Sequence, residues 1–266
     1  MSLGEEIVGR RFKSCSVQIQ LTDVRINRRV RQPGRGATAF LVLMLTPGLL
    51  LVGAARHAAA QTQSGRIVAD AKYTSPYDAF MKMNRLQESF TKDQTATEYW
   101  GFMESRLGNQ AGRILIKRPA QGFGDDAFRG WLMFIRPYGD ATGIGNCTAC
   151  HRLPDFTDRA KHNIGTAKEP IETPPLRDLH AKKSFFHDGS AGTLEKAIAR
   201  HVENGQIARD NKRAGVEIAI GQIALTAEEV RRVAAFVRSL ESVDRAKFRD
   251  YLVNIVVQRV ELEFSD

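Results

Sequence analysis

The sequence predicts an all-α fold, and three observations predict it. Apolar residues recur at helical spacing in several separate segments. Two Thr-x-x-Glu capping boxes, Thr95 to Glu98 and Thr226 to Glu229, mark helix starts. Between the candidate helices, Pro154, Pro170, Pro174 and Pro175 confine residues 152–175 to loops. There is no internal repeat and no low-complexity tract. At 266 residues, 42% hydrophobic and 26% charged, the chain is neither disordered nor a polytopic membrane protein, and it can bury a core without disulfide staples.

In chain order, residues 1–60 are a leader, and they hold much of the net charge of +9. Nine Lys and Arg against three acids lie there, which leaves 30 basic and 27 acidic residues, or +3, for the remainder. No polyanion-binding field remains once the leader is removed, so nucleic acid is not an expected partner. The basic stretch from Arg25 to Arg35, the uncharged run from Ala39 to Ala55 and the small residues at Ala58-Ala59-Ala60 follow the order of a secretory signal peptide. A retained anchor, which would place the protein at a membrane, is the alternative; the run is short for a span and carries Thr46-Pro47-Gly48. Residues 1–24 contain acids and Cys15, which is foreign to such a signal, and a start of translation downstream of Met1 is the expectation. The mature protein is therefore expected in the periplasm with two cysteines.

Residues 61–124 read as a helical extension. Tyr77, Phe80, Met83 and Phe90 lie at near-helical spacing, and Tyr99, Trp100, Met103 and Leu107 follow the first capping box. Asp125-Asp126 can cap a helix with apolar Phe128, Trp131, Leu132 and Ile135. Gly130 lowers helix propensity there, which predicts a close crossing with another helix. The partner is the stripe Val230, Val233, Phe236, Val237 and Leu240. Thr193 caps a further helix from about Leu194 to Val202, with Leu194, Ala197, Ile198 and His201 on its inner face. Residues 244–266 read as a C-terminal tail.

The chemistry-bearing motif is Cys147-Thr148-Ala149-Cys150-His151, the C-x-x-C-H pattern of covalent haem attachment. At the start of a helix, two sulfurs three residues apart share one turn and can form thioethers to one porphyrin, while His151 reaches the iron as proximal ligand. A zinc site would need a second closely spaced pair, and His162, His180, His187 and His201 are too far apart. A thioredoxin-like pair would need a parallel sheet around it. Residues 125–243 are thus expected to form a cytochrome c-like domain carrying one haem c.

None of the six methionines follows the motif, so the sixth ligand falls to a downstream histidine or to an open position. His201 is favoured because it shares a helix face committed to the core, whereas His162 and His180 lie among charged loop residues. Bis-His ligation predicts a low reduction potential.

Several further motifs stand in order: Arg129-Gly130-Trp131-x-x-Phe134, Phe156-Thr157-Asp158, His162-Asn163-Ile164-Gly165, Thr173-Pro174-Pro175-Leu176-Arg177-Asp178-Leu179, Phe186-His187-Asp188-Gly189 and Thr193-Leu194-Glu195. Over about 110 residues this set resembles the C-terminal haem domain of the bacterial dihaem cytochrome c peroxidase and MauG-type family. The resemblance implies a Met or Tyr distal ligand eight residues past the Thr of Thr-Leu-Glu, the position held here by His201. It also implies that Arg177 stands near the haem, where it could pair a propionate; a surface salt bridge is the alternative. Family members carry a second haem in an N-terminal domain, where the peroxide chemistry occurs. Residues 58–150 contain no histidine and no cysteine before Cys147, so the expectation here is a monohaem relative. The expected function is an electron carrier between unnamed redox partner proteins. Its rivals are a peroxidase-like enzyme with a labile distal ligand or a separate haem partner, and a haem-based sensor.

Overall fold

A computed structural model describes residues 72–86, 91, 94–107, 113–137, 143–210 and 214–261. The leader, Phe90 and the last five residues lie outside the described residues.

The first helix, α1 (Pro76–Asn84), starts at a capping box in which the Ser75 hydroxyl accepts from the Asp78 amide and the Asp78 carboxylate accepts from the Ser75 amide. In α2 (Ala96–Leu107), the predicted Thr95 and Glu98 box is present, with the Thr95 amide donating to the Glu98 carboxylate at 2.8 Å. Next come β1 (Arg113–Pro119) and α3 (Asp125–Ile135). Gly124 is the N-cap of α3, and Asp125 and Asp126 occupy its first turn, where acids favour the positive end of the helix dipole. After the loop region come the two-residue strands β2 (Lys161–His162) and β3 (Ile171–Glu172), then α4 (Leu194–Arg209), α5 (Ile218–Gly221), α6 (Ala227–Arg238), α7 (Arg245–Val253) and β4 (Ile255–Glu261). Thr193 caps α4 by accepting from the Lys196 amide, and the Thr226 and Glu229 box caps α6.

The fold is largely helical, and the all-α expectation needs one correction. β1 and β4 form an antiparallel ribbon from Arg113 opposite Glu261 to Pro119 opposite Ile255. The supposed tail is therefore α7 followed by a strand, and the helical extension contains the other strand. Neither strand could announce its partner, because the two are far apart in sequence.

The crossing of α3 and α6 decides the packing. A Cβ on Gly130 would lie 1.9 Å from the Arg232 carbonyl oxygen, so only glycine allows the two backbones to meet. Around this crossing Tyr77, Phe80, Trp131, Phe134, Phe156 and Phe236 are each no more than 1% exposed and share one cluster. Their rings meet edge to face, as at Tyr77 with Phe236 (5.3 Å) and Phe134 with Phe236 (5.0 Å). α1 is thus pinned onto the α3 and α6 pair by its own apolar stripe.

Candidate functional site

The Cys147 to His151 segment is a single 3-10 turn, Cys147–Ala149, rather than the start of a longer helix. The Cys147 carbonyl accepts from the Cys150 amide at 3.2 Å and from the His151 amide at 2.7 Å, so the two sulfurs and the imidazole share one tight turn. Two neighbours fix that turn. Gly145 passes so close to α3 that a Cβ would lie 2.7 Å from the Met133 carbonyl oxygen. Asn146, in the left-handed region at φ 48°, donates through its side-chain amide to the Ala219 carbonyl and the Gln222 side chain, both at 2.9 Å. The loop is thereby held to α3 on one side and to α5 on the other.

Cys147, Cys150, His151 and His201 line one cavity of about 350 Å³. Leu194, Ala197, Ile198 and His201 all face it from α4, as their shared stripe predicts, and Ile164, Leu176, Ile220 and Val237 add apolar walls. A volume of this size with mostly apolar walls suits a flat prosthetic group. Burial pushes the Cys147 thiol up to about 12, with Cys150 adding to the shift, and burial likewise pushes Cys150 up to about 12. Both are protonated thiols, unlike the low-pKa thiolate of a disulfide oxidoreductase.

The two histidines are prepared alike. Nδ1 of His151 lies 2.9 Å from the Phe156 carbonyl, and Nδ1 of His201 lies 2.9 Å from the Ala197 carbonyl. A carbonyl can only accept, so in each ring Nδ1 carries the proton and Nε2 keeps its lone pair. Burial lowers the His151 pKa to about 4, and burial also lowers that of His201. Both imidazoles are therefore neutral near pH 7, as metal ligation requires. The Phe156 carbonyl was not foreseeable from spacing; Phe156 takes φ 59°, and its ring packs on Phe134 at 5.7 Å.

The other expected or excluded residues fall as follows. His162 also lines the cavity, but its Nε2 meets Asp158 at 2.8 Å and its Nδ1 meets Glu217 at 3.5 Å. Donor atoms of Cys150, Asp158 and His162 come within 4.8 Å of one another, a grouping that histidine spacing did not suggest, and Cys147 is not among them. His187 lines the cavity, while the exposed His180 pairs with Glu241.

Leu176 lines the cavity and Arg177 does not. Its guanidinium donates to both oxygens of Asp78, at 3.1 and 2.9 Å, and its Nε donates to the Pro154 carbonyl at 2.8 Å. It also covers the Tyr73 ring at 3.9 Å. With side-chain exposures of 8% and 9%, this is a buried ion pair and not a surface salt bridge, and the fork is directed at α1.

The donor set fits a haem c: two thiols and an imidazole on one turn, a second imidazole on a facing helix, and an apolar cavity containing all four. Helices crossing at a glycine above such a turn define the class as a cytochrome c domain, and residues 140–241 match the family model described as Cytochrome c. The chain is similar to the methylamine utilization protein MauG of Methylorubrum extorquens, 28% identical over 137 residues, which cover 45% of this chain and 35% of that protein. It is also similar to the protein of the same name from Methylophilus methylotrophus, 29% identical over 138 residues, 46% of this chain and 38% of that one. The similarity to these two proteins is thus partial, and the matched segment spans little more than a third of their length. No solved structure matches it significantly. No helix among the described residues is long and apolar enough to cross a membrane.

Proposed function

We propose that this protein is an exported monohaem c-type cytochrome that carries single electrons. One observation carries the reading: His151 and His201 line one apolar cavity, each with Nδ1 tied to a backbone carbonyl at 2.9 Å. Cys147 and Cys150 would hold the porphyrin as thioethers, and His151 and His201 would ligate its iron. Haem c supplies one-electron chemistry when bound. The chain's own residues orient the ligands, keep both imidazoles neutral and exclude water through Ile164, Leu176, Ile220 and Val237. A filled coordination sphere favours transfer between proteins over reaction with peroxide, and two imidazoles favour a low potential. The partners are redox proteins, met in the periplasm.

The test is spectroscopic, on protein made in cells equipped for haem maturation. One haem per chain, a low-spin ferric spectrum without a methionine-to-iron band, and its loss in His201→Ala are the expected results. An unchanged low-spin spectrum in His201→Ala overturns the ligand assignment. The similarity to MauG favours a second reading, a peroxidase-like enzyme, which a high-spin or peroxide-reactive wild-type haem would establish instead.

A further inference from the structure

His201 has a second restraint beside its hydrogen bond. The Phe186 ring stacks on its imidazole, with centroids 5.4 Å apart and planes inclined by 29°. Both rings line the cavity, and Phe186 is half-buried, so one of its faces meets His201 while the side chain retains contact with solvent. The backbone is forced to present it. Phe186 has φ 67°, a left-handed conformation that a bulky side chain rarely adopts. Strained residues of this kind persist only where their surroundings fix them, and they cluster at ligand clamps.

The surroundings here are specific. Phe185 and Ala191 exchange backbone hydrogen bonds at 2.8 and 3.5 Å, closing the turn on both sides of Phe186. Gly189, at φ 68°, donates to the Phe186 carbonyl, and the Asp188 carboxylate accepts from the Ser190 amide at 3.0 Å. Two residues beyond Ala191 the chain reaches Thr193, the N-cap of α4. The phenyl ring and the imidazole it covers therefore belong to one continuous unit of turn and helix.

We infer that Phe186 is a positioning residue for His201, fixing the plane of the imidazole and shielding the distal side of the site from small exogenous ligands. The inference rests on the reading of His201 as distal ligand. The Ala197 carbonyl fixes one edge of the imidazole and Phe186 fixes its face, so the ring cannot turn without breaking one contact. A foreign ligand must wait for His201 to swing aside. Stacking of this kind opposes that departure by up to about tenfold.

The holoprotein tests this through cyanide binding to the ferric form and through its low-spin electron paramagnetic resonance signal, which reports imidazole orientation. Phe186→Leu and Phe186→Gly are expected to bind cyanide about three- to tenfold faster and to shift or broaden the signal. Phe186→Tyr, which keeps the ring, is expected to behave as wild type. The glycine variant relieves the backbone, so it remains informative even where leucine impairs folding. Cyanide rates and spectra equal to wild type in the haem-loaded glycine variant overturn the inference. His201→Ala, measured beside them, separates the two failures. If it leaves the low-spin spectrum intact, the ligand assignment falls and takes the inference with it; if it abolishes that spectrum while Phe186→Gly is silent, only the inference falls.

Discussion

Behind His151 stands a cluster of aromatic rings meeting edge to face, Phe134, Phe156 and Phe236, each at most 1% exposed, whereas His201 is covered by one half-buried ring on a surface turn. The carbonyl that orients His151 comes from Phe156, a residue locked in that cluster. The carbonyl that orients His201 comes from one turn earlier in its own helix. One imidazole is set by tertiary packing, the other by local structure. The difference teaches that a site of two like imidazoles can have one stiff side and one adjustable side. Changes behind His151 should move global stability, and changes around His201 should move spectra.

The largest effect expected is at Arg177. Arg177→Ala leaves the Asp78 carboxylate buried without its cation, and breaking a buried pair in this way costs about 4 kcal/mol. Chemical denaturation should show that loss in the holoprotein; a change under about 1 kcal/mol would mean that solvent reaches Asp78. Next comes Gly130→Ala, which must push α3 away from the Arg232 carbonyl and should cost about 2 kcal/mol by the same assay. Retention of wild-type stability there would disprove the close crossing.

On the adjustable side, Thr193→Ala removes the cap of α4 and should cost about 1 kcal/mol. Because α4 carries His201, its signature should be a broadened low-spin signal out of proportion to the small stability loss. The mildest test is acid. Burial holds the His151 pKa at about 4, below its ordinary 6.5, so the folded imidazole stays neutral while an unfolded one would gain a proton. The stability this contributes is present above pH 6.5 and is lost as pH falls from about 6.5 to about 4. In protein not yet loaded with haem, stability to denaturant should be level above pH 6.5 and fall between about 6.5 and about 4; no fall across that window would mean that the His151 imidazole is exposed.

What was legible in the sequence is what local rules govern. The capping boxes at Thr95 and Thr226, the stripes of α4 and α6, and the crossing at Gly130 all follow from spacing and propensity. The cavity-facing set Leu194, Ala197, Ile198 and His201 is a helical stripe, and the structure brings it to the cysteines. What was not legible depends on partners distant in the chain. Arg177 finds Asp78, 99 residues away, and no periodicity announces such a pairing. The Phe156 carbonyl and the Phe186 ring act through positive φ values at residues whose side chains do not advertise them. The ribbon of β1 and β4 failed for the same reason, since seven residues of strand have no meaning until their mate is known.

That ribbon has a consequence for the order of events during synthesis. Its strands flank, in sequence, every residue that lines the cavity, from Gly145 to Val237. A chain emerging from its N-terminus has delivered both cysteines and both imidazoles long before Ile255 to Glu261 can zip onto Arg113 to Pro119. The ribbon therefore cannot close until the whole cavity-lining segment has been made.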